Sequence, residues 1–472
     1  MTTRILTALI LLFSLLPLSG RAQLSLSLKP GELESQLAQT QPTQLSLRGY
    51  IDARDLRFLS DSQRQIEYLD LSNCEIFAYQ SDSYLFGTER TFAANEIPAG
   101  CFAGFAALKT VYLPKTTVKI GDGAFCQCEQ LTSVAFPSST FTIGDFAFLG
   151  CSRLECTFPG SISEIGAYAF DGCDRLTVAD LSAHPLKAIG QNAFSNCKQL
   201  TEVILPGSLQ QIGKACFAQC ENLLRANLKQ TSIPRLPDEC FAQCRNLSDI
   251  QLPWTVRNIG DGAFYYCESL RSIYIPSTVR KIGDFALSGC KALTSIQFFN
   301  GTKEIGRWQF YDTSLTQAML PPSIVFIDDN AFAGCSGLDE IYSEAYPPEL
   351  GADVFDGVAQ NECTLYVLHE MLESYRATDI WNRFKIMEFA SVETPTDDRQ
   401  LNLFFTGDVL NIESSDIIGQ LTIYNYQGIV LYNDAPAGKT YSIDTSFFLE
   451  RDYIVSAILH DGSLHNIKVR RH

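Results

Sequence analysis

The chain has 472 residues, is 46% apolar, and carries a formal net charge of −17 with a pI near 4.8. That length and composition suffice to bury a large core in more than one domain. The acidic balance repels nucleic acid and anionic lipid, so no nucleic-acid partner is expected.

Residues 1–22 read as an export signal: Arg4, the apolar run "ILTALILLFSLLPL", then Gly20 and Ala22 at the −3 and −1 positions of a cut before Gln23. The apolar run is shorter than a membrane span needs and no later stretch replaces it, so no membrane span is expected after cleavage. Residues 23–95 are a looser N-terminal cap or divergent repeat segment. There "TQLSLRGYIDARDLRFL" and "IEYLDLSNCEI" read as Leu-x-Leu strands followed by a turn. A cap is needed because a terminal repeat unit otherwise exposes its core.

Residues 96–389 repeat. Isoleucines preceding a turn stand at Ile97, Ile120, Ile143, Ile165, Ile189, Ile212, Ile259, Ile282, Ile305 and Ile327, with Leu236 filling the doubled gap. Five residues behind runs a ladder that includes Phe102, Phe125, Phe148, Phe170, Phe194, Phe217, Phe241, Phe264, Leu287, Phe310, Phe332 and Phe355. Three residues further stand Cys128, Cys151, Cys173, Cys197, Cys220, Cys244, Cys267, Cys290 and Cys335, and a leucine ladder from Leu108 to Leu338 completes the unit. Self-similarity at a fixed period marks a solenoid, in which each unit buries its apolar face only against its neighbours.

Each column has a physical reading. The Leu-x-x-Ile-x-Leu segment is a short strand whose apolar residues alternate inward, pairing in parallel with the next at about 4.8 Å. Proline after it, as at Pro114, Pro206 and Pro253, ends the ladder for want of an N–H. Glycine after isoleucine is read as a tight turn with backbone angles that other residues resist. Phenylalanine fills the coil centre and cysteine a narrow corner.

With these residues in view, the chain resembles the BspA-like leucine-rich-repeat family, whose unit carries the same "LP", "IG", "AF" and "C" signature. The resemblance implies a right-handed leucine-rich-repeat solenoid with a parallel β-sheet on one face and short turns between. "CTLYVLHEMLESYRATDIWNRF" follows as a last strand and a short helix bearing Trp381 and Phe384, closing the far end.

Residues 390–400 are a polar linker by composition. In residues 401–472 the period vanishes, and alternating short runs with turns at Gln427-Gly428 and Asp461-Gly462 predict a small antiparallel β-sandwich. This tail, with "LTIYNYQGIVLY", "IDTSFF", "DYIV" and the basic end "KVRRH", resembles the C-terminal sorting domains read by the type IX secretion machinery of Bacteroidota. That resemblance implies a secreted or outer cell-surface protein.

Chemistry is sparse. "IGDGAFCQC" suggests a phosphate loop, but it lacks the lysine and recurs as "IGDGAFYYC". The five histidines stand away from the cysteine ladder, and "HEMLE" at His369 lacks the second histidine of a zinc site. The ladder cysteines read as buried free thiols, with a Cys216–Cys240 bridge as the alternative. No metal, cofactor or enzymatic activity is expected.

The columns the repeat leaves free point to function. The solvent-facing strand positions form a row from Tyr112 through Ala135, Asp180, Ile204, Asn227, Gln251, Tyr274, Gln297 and Met319 to Tyr342, beside a second row containing Glu202, Arg225 and Asp249. Tyr112, Ile204, Arg225, Asn227, Asp249, Gln251, Tyr274, Gln297 and Tyr342, with Trp254 at the rim, are the candidate partner-binding residues. Mixed aromatic, amide and apolar character suits a protein ligand on a host or bacterial surface. Capture of a glycan by a nutrient-binding accessory is the alternative, and the protein itself is expected to be a monomer.

Overall fold

The structure, a computed structural model, describes residues 23–388 apart from 38, 88, 159–160, 274, 277 and 298–301, and the strand segments 401–406, 409–425, 430–434, 438–445, 452–459 and 464–470. The expected export signal, linker and C-terminal turns lie outside the described residues. The chain divides into two compact units, Met1–Pro253 and Trp254–His472.

In the first unit the strands Leu24–Leu28, Gln44–Ile51, Tyr68–Ile76, Thr110–Tyr112 and Ser133–Ala135 form one parallel sheet. Val178–Asp180, Glu202–Ile204, Arg225–Asn227 and Asp249–Gln251 form another. The register keeps one inward residue per strand in line, as in Leu69 opposite Val111 and Val111 opposite Val134. The same holds for Ala179, Val203, Ala226 and Ile250. The segment expected to be a turn after Ile51 is instead the helix Ala53–Ser62. Asp52 caps it, accepting the Arg54 N–H at 2.9 Å, and the buried Asp55 carboxylate accepts N–H bonds from Gly31, Leu33 and Asp52.

The solenoid was expected to carry its sheet on one face, and it carries a second, narrower one. Glu96–Ile97, Lys119–Ile120, Thr140–Ile143, Ser161–Ile165, Ala188–Ile189 and Gln211–Ile212 pair in parallel, with the isoleucines in register. The glycines that follow these isoleucines are not in the left-handed region, which corrects the reading of that column. They are required by closeness: a Cβ on Gly190 would stand 2.3 Å from the Ala167 nitrogen, and one on Gly213 2.2 Å from the Gln191 nitrogen. Successive coils touch backbone to backbone there.

The phenylalanine ladder is the core. Rings from Phe102 through Phe125, Phe148, Phe170, Phe194 and Phe217 to Phe241 stack at 5.2–5.6 Å between centroids and within 20° of parallel. All are fully buried, each contributing about 1.5–3 kcal/mol of transfer free energy.

The cysteine column does more than fill space. The Cys128 thiol donates to the Phe102 carbonyl of the preceding coil at 3.0 Å, and Cys151, Cys173, Cys197, Cys220 and Cys244 repeat the bond one coil on each time, at 3.1–3.4 Å. All sixteen cysteines are free thiols, so Cys216 and Cys240 are unbridged.

In the second unit, Ser295–Gln297, Gln317–Leu320, Glu340–Ser343, Thr364–Val367 and Lys385–Glu388 form a parallel sheet, Glu304–Ile305, Phe326–Ile327 and Glu349–Leu350 a narrow one, and Asn258–Ile259 pairs with Lys281–Ile282 in another narrow one. Phe310, Phe332 and Phe355 stack at 5.3 and 5.7 Å, and Leu287 takes a ring's place without exposure. Thr313, at the cysteine position, donates to the Phe310 carbonyl at 2.9 Å and lies 3.2 Å from the Cys335 sulfur.

The last ring, Phe355, is covered edge-on by Trp381 and Phe384 at 5.3 and 5.0 Å. The α-helix is Leu372–Ala377, and Trp381 sits in a separate short 3₁₀ turn, so the closing segment is helix plus turn rather than one helix. The Trp381 indole donates to Pro348 O at 3.2 Å, and the Tyr375 hydroxyl donates to Ser343 Oγ at 2.7 Å.

Beyond it lies an antiparallel sheet of Leu401–Thr406, Val409–Asn425, Val430–Asp434, Gly438–Asp444, Asp452–Leu459 and Leu464–Arg470. The long strand Val409–Asn425 serves both halves, pairing with Leu401–Thr406 and Gly438–Asp444 at one end and with Val430–Asp434 and Asp452–Leu459 at the other. Its register shifts between Glu413 and Ile418. Residues from both ends, including Leu410, Ile412, Ile423 and Val455, share one core.

Candidate binding face

Inward residues of the wider sheets are fixed by packing, which turns the alternate residue of each strand to solvent. In the first unit the row runs Asp70, Tyr112, Ala135 in one sheet and Asp180, Ile204, Asn227, Gln251 in the other, each residue opposite the next across parallel strands. Asn227, Gln251, Arg225 and Asp249 are exposed, Tyr112 is 37% exposed, and Ile204 is half-buried. Arg225 lies opposite Glu202 on one side and Asp249 on the other, placing a cation between two anions.

Some positions in the row also have work within the fold. Asp180 and Asn227 each accept the backbone N–H two residues on at 3.1 Å, closing the turn that ends the strand, and Asp70 accepts the Ser72 N–H at 2.9 Å within its strand. Tyr112 packs against Tyr68 with ring centroids 5.5 Å apart.

In the second unit the row is Gln297, Met319, Tyr342, Tyr366, Met387 in register. Tyr342 stacks on Tyr366 at 4.7 Å and 12°, and its hydroxyl donates to Glu340 Oε2 at 2.9 Å. The Gln317 amide donates to the same oxygen at 2.7 Å. Burial, then the bond to Glu340, pushes the Tyr342 phenol up to about 12, so the ring stays neutral and oriented. Trp254 is half exposed. Tyr274 lies outside the described residues, and Gln297 is placed only by its strand. Tyr366 and Met387 extend the row beyond the sequence reading. Their strand spacing signals them, but the "LP" and "IG" motifs that mark the other coils have faded there.

Two of the histidines, His184 and His369, have local explanations. His184 is buried and its Nδ1 accepts the Ile162 N–H at 3.1 Å. His369 Nδ1 lies 3.1 Å from a Glu388 carboxylate oxygen on the surface. Among the described residues no three His, Cys, Asp or Glu side chains converge as a metal site, and no helix is long and apolar enough to cross a membrane.

The family model for the BspA type leucine rich repeat region matches in six copies, over residues 95–224, 164–280 and 257–366. The chain belongs to the BspA type leucine-rich-repeat family. The matched residues of this BspA type protein contain the isoleucine, phenylalanine and cysteine columns described above. No curated protein matches it.

Among solved structures it is similar to a leucine-rich repeat protein from Bacteroides ovatus at 25% identity, covering 66% of this chain and 91% of that one, with a TM-score of 0.42. A leucine-rich repeat protein of T. pallidum matches at 28% identity over 38% of this chain and 72% of that one, with a TM-score of 0.28. A leucine rich cell surface protein from Faecalibacterium prausnitzii matches at 23% identity over 57% and 85%, with a TM-score of 0.33.

Proposed function

We propose that this is an exported surface or secreted protein that binds a protein partner through the solvent-facing rows of its wider sheets. The observation that carries the reading is the register. The structural columns repeat coil after coil, while the positions they hold toward solvent vary from Arg225 and Asp249 to Tyr342 and Met319 on a rigid backbone. Pre-positioned aromatic and charged side chains on a fixed frame bind with little ordering cost.

Supporting the surface location are the export-signal pattern of residues 1–22 and the resemblance of the tail to type IX sorting domains. On this reading residues 96–389 bind and residues 401–472 serve export. Glycan capture by the sheet face has less support: Tyr112 and Tyr342 are engaged by Tyr68 and Tyr366 and stand in different sheets.

The test is binding of the full chain to a panel of host matrix and bacterial surface proteins. At least one should bind, and Arg225→Glu with Asp249→Arg should weaken it about tenfold or more. A panel without a binder, or binding indifferent to both substitutions, contradicts the proposal.

A further inference from the structure

Each coil holds two residues in the left-handed region, one two places before the ladder phenylalanine and one two places after. Several coils place glycine there, as at Gly262 and Gly289, where it costs no strain. Others place the bulkiest side chains available. Tyr266 has φ 56°, Phe285 φ 57° and Trp308 φ 54°. A β-carbon in this region is strained, and a large aromatic there is an outlier that the scaffold itself does not require.

These rings gather on the turn side of consecutive coils in the second unit. The Phe285 and Trp308 planes lie within 4° of parallel, with centroids 6.4 Å apart. Tyr311 meets Trp308 edge-on at 4.7 Å, and Tyr265 meets Tyr266 at 4.5 Å. The Tyr266 ring lies flat over Gly289, where a Cβ would stand 3.0 Å from it. Phe285 is 40% and Tyr311 38% exposed. The other exposed side chains along these turns are polar, namely Asp261, Arg307 and Asp312. The first unit repeats the device: Phe146 (φ 59°) stacks on Tyr168 (φ 55°) at 5.2 Å and 8°.

We propose that the Tyr265, Tyr266, Phe285, Trp308 and Tyr311 cluster is a binding site for a neutral polysaccharide. Flat parallel rings stepped at the coil repeat offer successive platforms to the C–H faces of successive sugar rings, while tyrosine hydroxyls and carboxylates beside them bond to sugar hydroxyls. Single-stranded nucleic acid also stacks on such rings, but its phosphates are repelled by a chain of net charge −17. A protein anchor fits less well, because among the described residues the exposed neighbours of the rings along these turns are polar.

The test is native-gel affinity electrophoresis of the full chain in gels cast with barley β-glucan, xylan, galactomannan or pullulan. At least one polysaccharide should retard the chain, and Phe285→Gly with Trp308→Gly should weaken it about tenfold or more while the melting temperature holds or rises, since glycine relieves the strain. Trp308→Phe keeps a ring and should retain most of the retardation. Arg225→Glu should leave it unchanged, which separates this site from the sheet face. Absence of retardation in every gel, retardation that survives both glycine substitutions, or a protein captured by these rings in place of any polysaccharide overturns the proposal.

Discussion

The thiol of Cys151 donates to the carbonyl oxygen of Phe125, 3.1 Å away in the preceding coil. The cysteine column thus ties each coil to its neighbour's core strut. Phe125 O also accepts the Cys128 N–H at 3.2 Å, so losing the thiol forfeits one bond of two. Cys151→Thr keeps a donor and Cys151→Val does not, at nearly equal volume. Urea melts should find the threonine variant more stable by about 1 kcal/mol. A valine variant as stable as the threonine one would reduce the column to space filling.

Close contact between coils predicts a sharp contrast among glycines. Gly190→Ala forces a Cβ to within 2.5 Å of Gly166 C and Ala167 N, whereas the nearest atom to a Cβ on Gly337 is Leu315 O at 3.7 Å. The first substitution should cost about 3 kcal/mol and the second little, read as shifts in melting temperature. Equal effects would mean that the coils can move apart.

Burial holds the Cys290 and Cys335 thiols in their protonated form. From an ordinary value of 9.0, burial pushes Cys290 up to about 12 and Cys335 up to about 11. Between those limits the unfolded chain binds fewer protons than the folded one, so stability falls as pH rises above about 9. Native protein should resist iodoacetamide at about pH 8 and label fully only after denaturation. The half-buried Cys126 should react first. Rapid labelling of many thiols in the native state would contradict this burial.

His184 works at the opposite end of the pH scale. Burial lowers its value from 6.5, and the neutral ring accepts the Ile162 N–H. The folded state therefore binds fewer protons than the unfolded one just below pH 6.5, and stability is lost as pH falls through that range. His184→Phe should cost about 1–3 kcal/mol at neutral pH by stranding the Ile162 N–H, and should flatten the acid limb of the stability curve. Urea titrations on either side of about pH 6 check both effects.

Much of the fold was legible because it is periodic. Columns anchored on Ile120, Phe125, Cys128 and Leu131 can be aligned by eye, and alternation along each strand assigns inside from outside. What a column conceals is the reason for its residue. "IG" names a glycine without saying whether φ or a neighbouring backbone demands it, and Gly190 shows that it is the backbone. The helix Ala53–Ser62 was missed because Asp52 and Asp55 cap each other within a run that also reads as a strand and turn.

The sheet-face rows followed from period two. Tyr366 and Met387 escaped because the motifs marking their coils are absent. The turn-side rings escaped because the left-handed positions hold glycine more often than an aromatic, and composition does not reveal strain. Phe285 and Trp308 were visible only as departures from "GDGAF".

The most direct test of the binding face is photo-crosslinking, with benzoylphenylalanine placed at Asn227 or Tyr342 on the wider sheets and at Glu164 or Lys281 on the narrow ones. The full chain is exposed to host and bacterial surface proteins and irradiated. The face positions should crosslink to a protein that the narrow-sheet positions do not capture. Crosslinks from Glu164 and Lys281 alone, or from none of the four, would contradict the assignment of the sheet face as the site of function.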